Sequence, residues 1–293
     1  MFFDISSKAQ LARFLGIAPG EIDHVLHRLH KSYRPQRFRK ADNSFRNLLV
    51  PQGKLKLLQT KIKTHILDVV PALPCVHGGV RRRSICSNAR PHVAKAVVFT
   101  IDIKDFFPHI DPERVLRIFQ AMGFREEAAE ILTKATTWKH QLPQGVATST
   151  ALANLSLVRV DDRIQRLAGL HGFAYTRFVD DLTLSGDWRL LKFRRLIPRI
   201  VESEGFSIKP EKTMTMDRGA RQMVTKLVVN SKINIGKERR RGIRKEVFDH
   251  RREHHAEALT PRVQGLVYWL RQVNAPVGEK LLNRVATQDS SDR

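Results

Sequence analysis

The sequence predicts a mixed fold, an α/β or α+β core carrying helical attachments. Three observations predict it. AVVFTIDI at 96–103 is a β-branched and apolar run fit for a buried strand. Leu55, Leu58, Ile62 and Ile66 recur at helical spacing. Strands and helices alternate along the 293 residues without a regular repeat.

The elements follow in order. Residues 5–31 read as two short amphipathic helices, the first capped by Ser6 or Ser7 with Leu11, Phe14 and Leu15 inward, the second opened by Pro19-Gly20. YRPQRFRKADNSFRNLLVP alternates basic and apolar residues around Asp42-Asn43-Ser44, as a β-hairpin does. The Leu55 helix comes next, with lysines on its outer face, and HGGVRRRSICSNARPH reads as a loop. The buried strand leads into DPERVLRIFQAMG, a helix capped by Asp111. LPQG begins a turn, and Thr148 to about Ala168 is a long helix. FAYTRFVDDLTLSG, 173–186, is a strand, a turn and a strand. A helix over 189–204, short strands to about 235 and further helices complete the chain.

Charge narrows the function. Lys and Arg number 52 against 29 Asp and Glu, a net charge of +23, which suits a polyanionic partner because each neutralised phosphate releases counterions. The excess is clustered. Residues 28–64 hold eleven Lys and Arg against one acid, Asp42, and 237–252 hold eight against three. No apolar run approaches the roughly 18 residues that span a bilayer, and MFFDISSKAQ lacks a signal-peptide pattern, so a cytoplasmic protein without a membrane partner is expected. Cys75 and Cys86 fit neither a disulfide framework nor a metal spacing. His24, His27 and His30 lie at i, i+3 and i+6 on one helix, but without Cys or further acids on that face they read as a solvated or RNA-facing surface.

Against this background the carboxylates stand out. Asp102 ends a buried strand, and Asp180-Asp181 sit at a hairpin turn. Acids so placed are costly unless cations or donors meet them, and together they suit hard ions such as Mg²⁺. Two such ions can assist an in-line phosphoryl displacement.

FTIDIKDFFPHI, LPQGVATSTALANL, RFVDDLTLSG, GFSIKPEKT and VTKLVVN stand in the order of the sequence blocks of reverse transcriptases. The chain resembles the retron-type bacterial enzymes most, from about residue 33 to the end. The resemblance implies an α+β right-hand polymerase fold, with an antiparallel palm sheet backed by helices. An N-terminal extension would cover 1–32, fingers 33–96 and 112–141, palm 97–111 and 142–235, and a basic helical thumb 236–293. It implies Asp102, Asp180 and Asp181 as ligands of two Mg²⁺ ions, with Mn²⁺ a substitute. Lys212 would protonate the leaving pyrophosphate. Arg46 and Lys40 or Arg39 would grip the triphosphate, the Asp105 backbone would lie near it, and Phe107 would obstruct a 2′-hydroxyl. Gln144 and Gly145 would hold the template and nascent pair.

NARPH, with Asn88 and His92, matches the family's NAxxH element, and VTK at 224–226 resembles its VTG element, with Lys226 in place of glycine. Both are expected to contact nucleic acid. Arg240, Arg244 and Arg251 share one face of a basic helix suited to a duplex backbone, with Ile243 and Val247 packing nearby. Phe178-Val179 stands where Tyr-Ala is usual, and Thr150 where proline is usual. The implied partners are deoxynucleoside triphosphates, a structured noncoding RNA serving as template and primer, its DNA product, and a separate effector protein in antiphage defence. Priming from an RNA 2′-hydroxyl would give a branched molecule. Another bacterial reverse transcriptase, or a polymerase-like RNA-binding scaffold, are the alternatives.

Overall fold

The computed structural model describes residues 3–39, 43, 45–253 and 260–286, so Lys40 lies outside the described residues, as does the side chain of Arg251. Helix α1 (Lys8–Leu15) opens with a capping box in which Ser7 and Gln10 satisfy each other's backbone N–H groups. Helix α2 (Pro19–His27) starts on Pro19, whose missing N–H costs nothing at a helix's first position. Strands β1 (Tyr33–Arg39) and β2 (Phe45–Pro51) pair as the expected hairpin, with Tyr33 opposite Pro51. Helix α3 (Gly53–Ile62) buries Leu55, Leu58 and Ile62, then widens into a π turn at Lys63–Leu67.

The stretch expected as a loop contains a helix, α4 (Ile85–Ala89). Ser84 and Ser87 cap it reciprocally, a signal hidden among glycines and arginines. Strand β3 (Val97–Asp102) is buried as expected, and Asp111 caps helix α5 (Pro112–Ala121) by accepting from the Arg114 N–H. Helix α6 (Glu126–Thr136) was not anticipated, although Ala128, Ile131, Leu132 and Ala135 form its buried stripe. The long helix expected from Thr148 is two, α7 (Ser149–Ser156) and α8 (Val158–His171), broken at Leu157. Near the break the Ser156 hydroxyl donates to Ala153 O, competing with the helical ladder.

Strands β4 (Ala174–Phe178) and β5 (Asp181–Gly186) form the hairpin around the acid pair. Helix α9 (Leu196–Ser203) and strand β6 (Met214–Asp217) follow, then a two-residue hairpin of β7 (Met223–Val224) and β8 (Leu227–Val228). Helices α10 (Lys237–Glu253), α11 (Pro261–Val273) and α12 (Ala275–Ala286) complete the chain. The central sheet has the order β4-β5-β3-β6, with every pair antiparallel.

Two hydrophobic cores flank this sheet. The larger joins the N-terminal helices, α3, α5 to α9 and one face of the sheet. The smaller joins α4, β6 to β8 and the C-terminal helices. Side chains alternate along a strand, so β3 serves both: Val97, Phe99 and Ile101 enter the first core and Val98 the second. Residues 223–235, expected with the palm, pack through Val224, Leu227, Val229 and Ile235 with the C-terminal helices. Among the described residues no helix is long and apolar enough to cross a membrane.

Candidate active site

The sheet register places the acids. Asp102, the last residue of β3, pairs directly with Asp181, the first of β5, so both project from the same face. Asp180 occupies the turn, where its carbonyl accepts from Ile103 N at 2.9 Å. Burial raises the pKa of Asp180, and the neighbouring Asp102 adds to the shift. Asp181 is pushed up to about 7 by burial, then by Asp180 and Asp102. Both shifts reflect carboxylates buried close to other carboxylates, where positive charge is short.

Two lysines supply part of it. Lys212 Nζ donates to Asp102 Oδ2 at 3.1 Å. Lys209 Nζ forms a second ion pair, 2.7 Å from Oδ1. The Lys209 N–H also donates to Asp102 O at 2.8 Å. Sequence reasoning named Lys212 and missed Lys209, three residues earlier in the same KPEK stretch. That spacing could have found it, because a short 3₁₀ turn at Pro210–Lys212 brings both lysines to one carboxylate.

The all-oxygen donor set and its excess negative charge fit hard divalent cations, which Asp102, Asp180 and Asp181 would hold. Among the described residues no three His, Cys, Asp or Glu side chains already converge as a closed ligand set. Asp102 is engaged by lysine instead.

Asp180 and Lys209 border a cleft of about 800 Å³, which Arg46, Asp105, Phe107, Gln144 and Gly145 also line. Arg46 is exposed on β2, and Arg39 is exposed opposite Phe45. Phe107 is half-buried against Phe106, their ring centroids 5.7 Å apart. Asp105 takes a left-handed backbone, φ +41°, at the bend after β3. Gln144 O accepts from Leu49 N at 2.8 Å, tying β2 to the start of the α7 segment. Beside it Gly145 has φ +95°, and a Cβ there would sit 3.2 Å from Leu49 O, so glycine permits this seam.

Asn88 and His92 depart from expectation. Both side chains are fully buried rather than turned toward nucleic acid. His92 Nδ1 bonds Ser185 Oγ and Nε2 bonds Thr176 Oγ1, each at 2.7 Å, so the ring spans both strands of the acid-bearing hairpin on the face from which Asp181 projects. Asn88 Nδ2 donates to Thr225 Oγ1 at 3.5 Å, joining the NARPH and VTK elements. A polar strand face buried in a core needs partners, and His92 supplies them to Ser185 and Thr176, with Asn88 O accepting from Thr176 Oγ1 at 3.2 Å. Lys226 is exposed in the β7–β8 turn with φ +65°, keeping the left-handed backbone that glycine would adopt more readily. On α10, Ile243 and Val247 are buried, Arg240 is half-buried and Arg244 is exposed.

A right-hand polymerase sheet bearing paired acids beneath a basic hairpin defines a nucleic-acid polymerase, and the comparisons agree. The family model for reverse transcriptase (RNA-dependent DNA polymerase) matches residues 38–240. Retron Mx65 reverse transcriptase of Myxococcus xanthus is 32% identical over 95% of this chain and 71% of its own length. Retron Ec86 reverse transcriptase of Escherichia coli is 35% identical over 70% of this chain and 65% of its own length. Among solved structures, Candida albicans telomerase with a fragment of telomeric RNA superposes with a TM-score of 0.52, covering 92% of this chain and 58% of that one at 11% identity, a likeness of fold. The chain belongs to the retron reverse transcriptases, and spans about two thirds of the length of the curated relatives it matches.

Proposed function

We propose that this chain copies a structured noncoding RNA into DNA at the β3–β5 acid site, using deoxynucleoside triphosphates. The observation that carries the reading is the register that sets Asp102 against Asp181, with Asp180 beside them at the border of a cleft that Arg46 also lines. Bound Mg²⁺ ions would activate the primer hydroxyl and stabilise the leaving oxygen. Arg46 binds the triphosphate through its planar fork of donors. Phe107 packs beside the sugar and favours deoxynucleotides. Gln144 and Gly145 border the template and nascent pair. Lys212 holds a proton within reach of the acids for the leaving pyrophosphate, and Lys209 shares that place. The basic face of α10, with Arg240 and Arg244, lies along the duplex backbone.

Family membership also supports a cognate RNA primed from its own 2′-hydroxyl, a branched RNA-DNA product, and a role in antiphage defence with a separate effector protein. Two measurements test the proposal. Mg²⁺-dependent primer extension should be lost in Asp180→Ala and Asp181→Ala, and equal synthesis by variant and wild type would sink the acid assignment. Sequencing the nucleic acid that co-purifies should return one folded RNA joined to DNA. A heterogeneous pool would remove the branched product from the proposal.

A further inference from the structure

Beneath the acid turn lies a fully buried arginine that the chemistry above does not use. Arg177 ends in a guanidinium whose five N–H groups all have acceptors. Nε and Nη2 donate to Asp161 Oδ1 and Oδ2 of α8 at 2.8 and 2.6 Å, and Nη1 donates to Asn154 Oδ1 of α7 at 2.9 Å. The same Nη1 donates to the carbonyl of Val179 at 2.7 Å. Both members of the Arg177–Asp161 pair are completely buried, and Tyr175 OH adds a donor to Asp161 Oδ1 at 2.7 Å.

Val179 immediately precedes the acids and has φ +61°. A β-branched residue rarely takes this left-handed conformation, which persists only where surroundings impose it. Here they do so from two sides. Arg177 holds the carbonyl. Gly78 abuts the preceding peptide, Phe178–Val179, so closely that a Cβ would lie 2.4 Å from Val179 N, and Asn154 Nδ2 holds Gly78 in place through its carbonyl at 2.9 Å, so the peptides on both sides of Val179 are held.

A buried ion pair is no more stabilising than well-packed apolar residues of similar volume. Apolar residues, however, could not donate to Val179 O. Lysine could not serve either, because it lacks the fork that reaches three acceptors at fixed angles.

We propose that Arg177, seated on Asp161 and Asn154, is a positioning residue that holds the Val179 peptide left-handed and thereby aims Asp180 and Asp181. The inference rests on the acid assignment made under the proposed function. Its test is steady-state primer extension with a combined Arg177→Met, Asp161→Leu and Tyr175→Phe variant, which removes the polar group while filling the core. Its thermal midpoint and primer-template affinity should stay near wild type. Its kcat should fall about a hundredfold, with KM for the nucleoside triphosphate changed less than about twofold. Adding Val179→Gly, which adopts φ +61° unaided, should return about tenfold in kcat.

Wild-type kcat in the combined variant would overturn the inference, as would no recovery with glycine in a folded protein. If the combined variant does not fold, Arg177→Lys, which keeps a charge opposite Asp161, carries the same two expectations and the same two refutations. Asp180→Asn run alongside separates the failures: an active Asp180→Asn removes the acid assignment, while an inactive one beside a fully active combined variant removes this inference alone.

Discussion

The two long hairpins of this chain are built in opposite ways. In β4–β5, Tyr175, Leu182 and Leu184 face the larger core, while Thr176, Thr183 and Ser185 are equally buried on the other face. His92 bridges that second face, and Arg177 anchors the turn from below. In β1–β2, every residue of β1 after Tyr33 is exposed, and Phe38 and Phe45 lie open to solvent, with the Arg37 guanidinium 4.3 Å over the Phe45 ring. That hairpin is held by its own ladder, by Pro51 and Tyr33 at its base, where the Tyr33 hydroxyl accepts from Gln59 Nε2 at 2.9 Å, and by Leu49 on Gln144. Burial on two faces fixes side chains to the tolerance that bond-making needs. A ladder with one seam suits a segment that must meet a substrate and release it.

Four measurements would break or sharpen this contrast. The largest effect belongs to the buried hairpin: Asp181→Asn should lower kcat in primer extension by about a thousandfold or more, with KM little changed. A KM effect alone would mean that the acids bind rather than react.

Next comes the polar brace across the same hairpin. Burial, then His77 and Lys95, push the pKa of His92 down to about 3, whereas an unfolded histidine titrates near about 6.5. Between those values the unfolded chain binds the extra proton. The His92 contribution to stability is therefore complete above about pH 6.5 and falls as pH drops toward 3, by about 2 kcal/mol between pH 7 and 5, while Asp181, raised to about 7, contributes in the opposite sense over the same range. Urea denaturation of wild type and His92→Gln at both pH values isolates it: the stability of wild type relative to the variant should fall by about 2 kcal/mol from pH 7 to 5, so the two pH slopes differ. An unchanged slope would mean that the brace does not depend on a neutral ring.

The exposed hairpin should answer in binding. Arg46→Ala is expected to raise KM for the nucleoside triphosphate about tenfold at near-constant kcat, since a charge-assisted bond contributes roughly 1.5–3 kcal/mol. A drop in kcat of the same size would erase the division of labour.

The smallest effect lies in the third hairpin. Thr225 and Lys226 both have positive φ, +45° and +65°, the type I′ pattern that favours Asn-Gly. Lys226→Gly should raise thermal stability by less than about 1 kcal/mol, because relief of strain is offset by the glycine's freedom when unfolded. A loss of stability would show that the lysine side chain holds the turn.

Much of this was legible in the sequence. Strand β3 showed in its β-branched run, α1 and α5 in their caps, and the acids in their position at strand ends. The family blocks then located the cleft residues. What could not be read was register and the partners of buried polar groups, which depend on segments far apart in the chain. Asn88 and His92 were expected at nucleic acid through the NARPH resemblance alone, yet the partners of His92, Thr176 and Ser185, lie 84 and 93 positions away, and that of the Asn88 side chain, Thr225, lies 137 away. The Arg177–Asp161 pair escaped because an Arg in a basic chain carries no mark of burial. Val179 was unusual by type, but its left-handed backbone follows from Gly78 and Arg177 rather than from its own preference.

The shared position of β3 has a consequence for how such enzymes diverge. Val98 is a wall residue of the C-terminal helices' core, and its neighbours Val97 and Phe99 belong to the other core. A substitution that reshapes α10, α11 or α12 is therefore felt, one residue over, on the strand that ends in Asp102. The C-terminal helices are not a detachable module, and exchanging them between relatives at the start of α10 would split a packed unit. The natural unit for such a graft includes α4, β3 and β6 as well, so that the C-terminal helices and the strand that ends in Asp102 are inherited together.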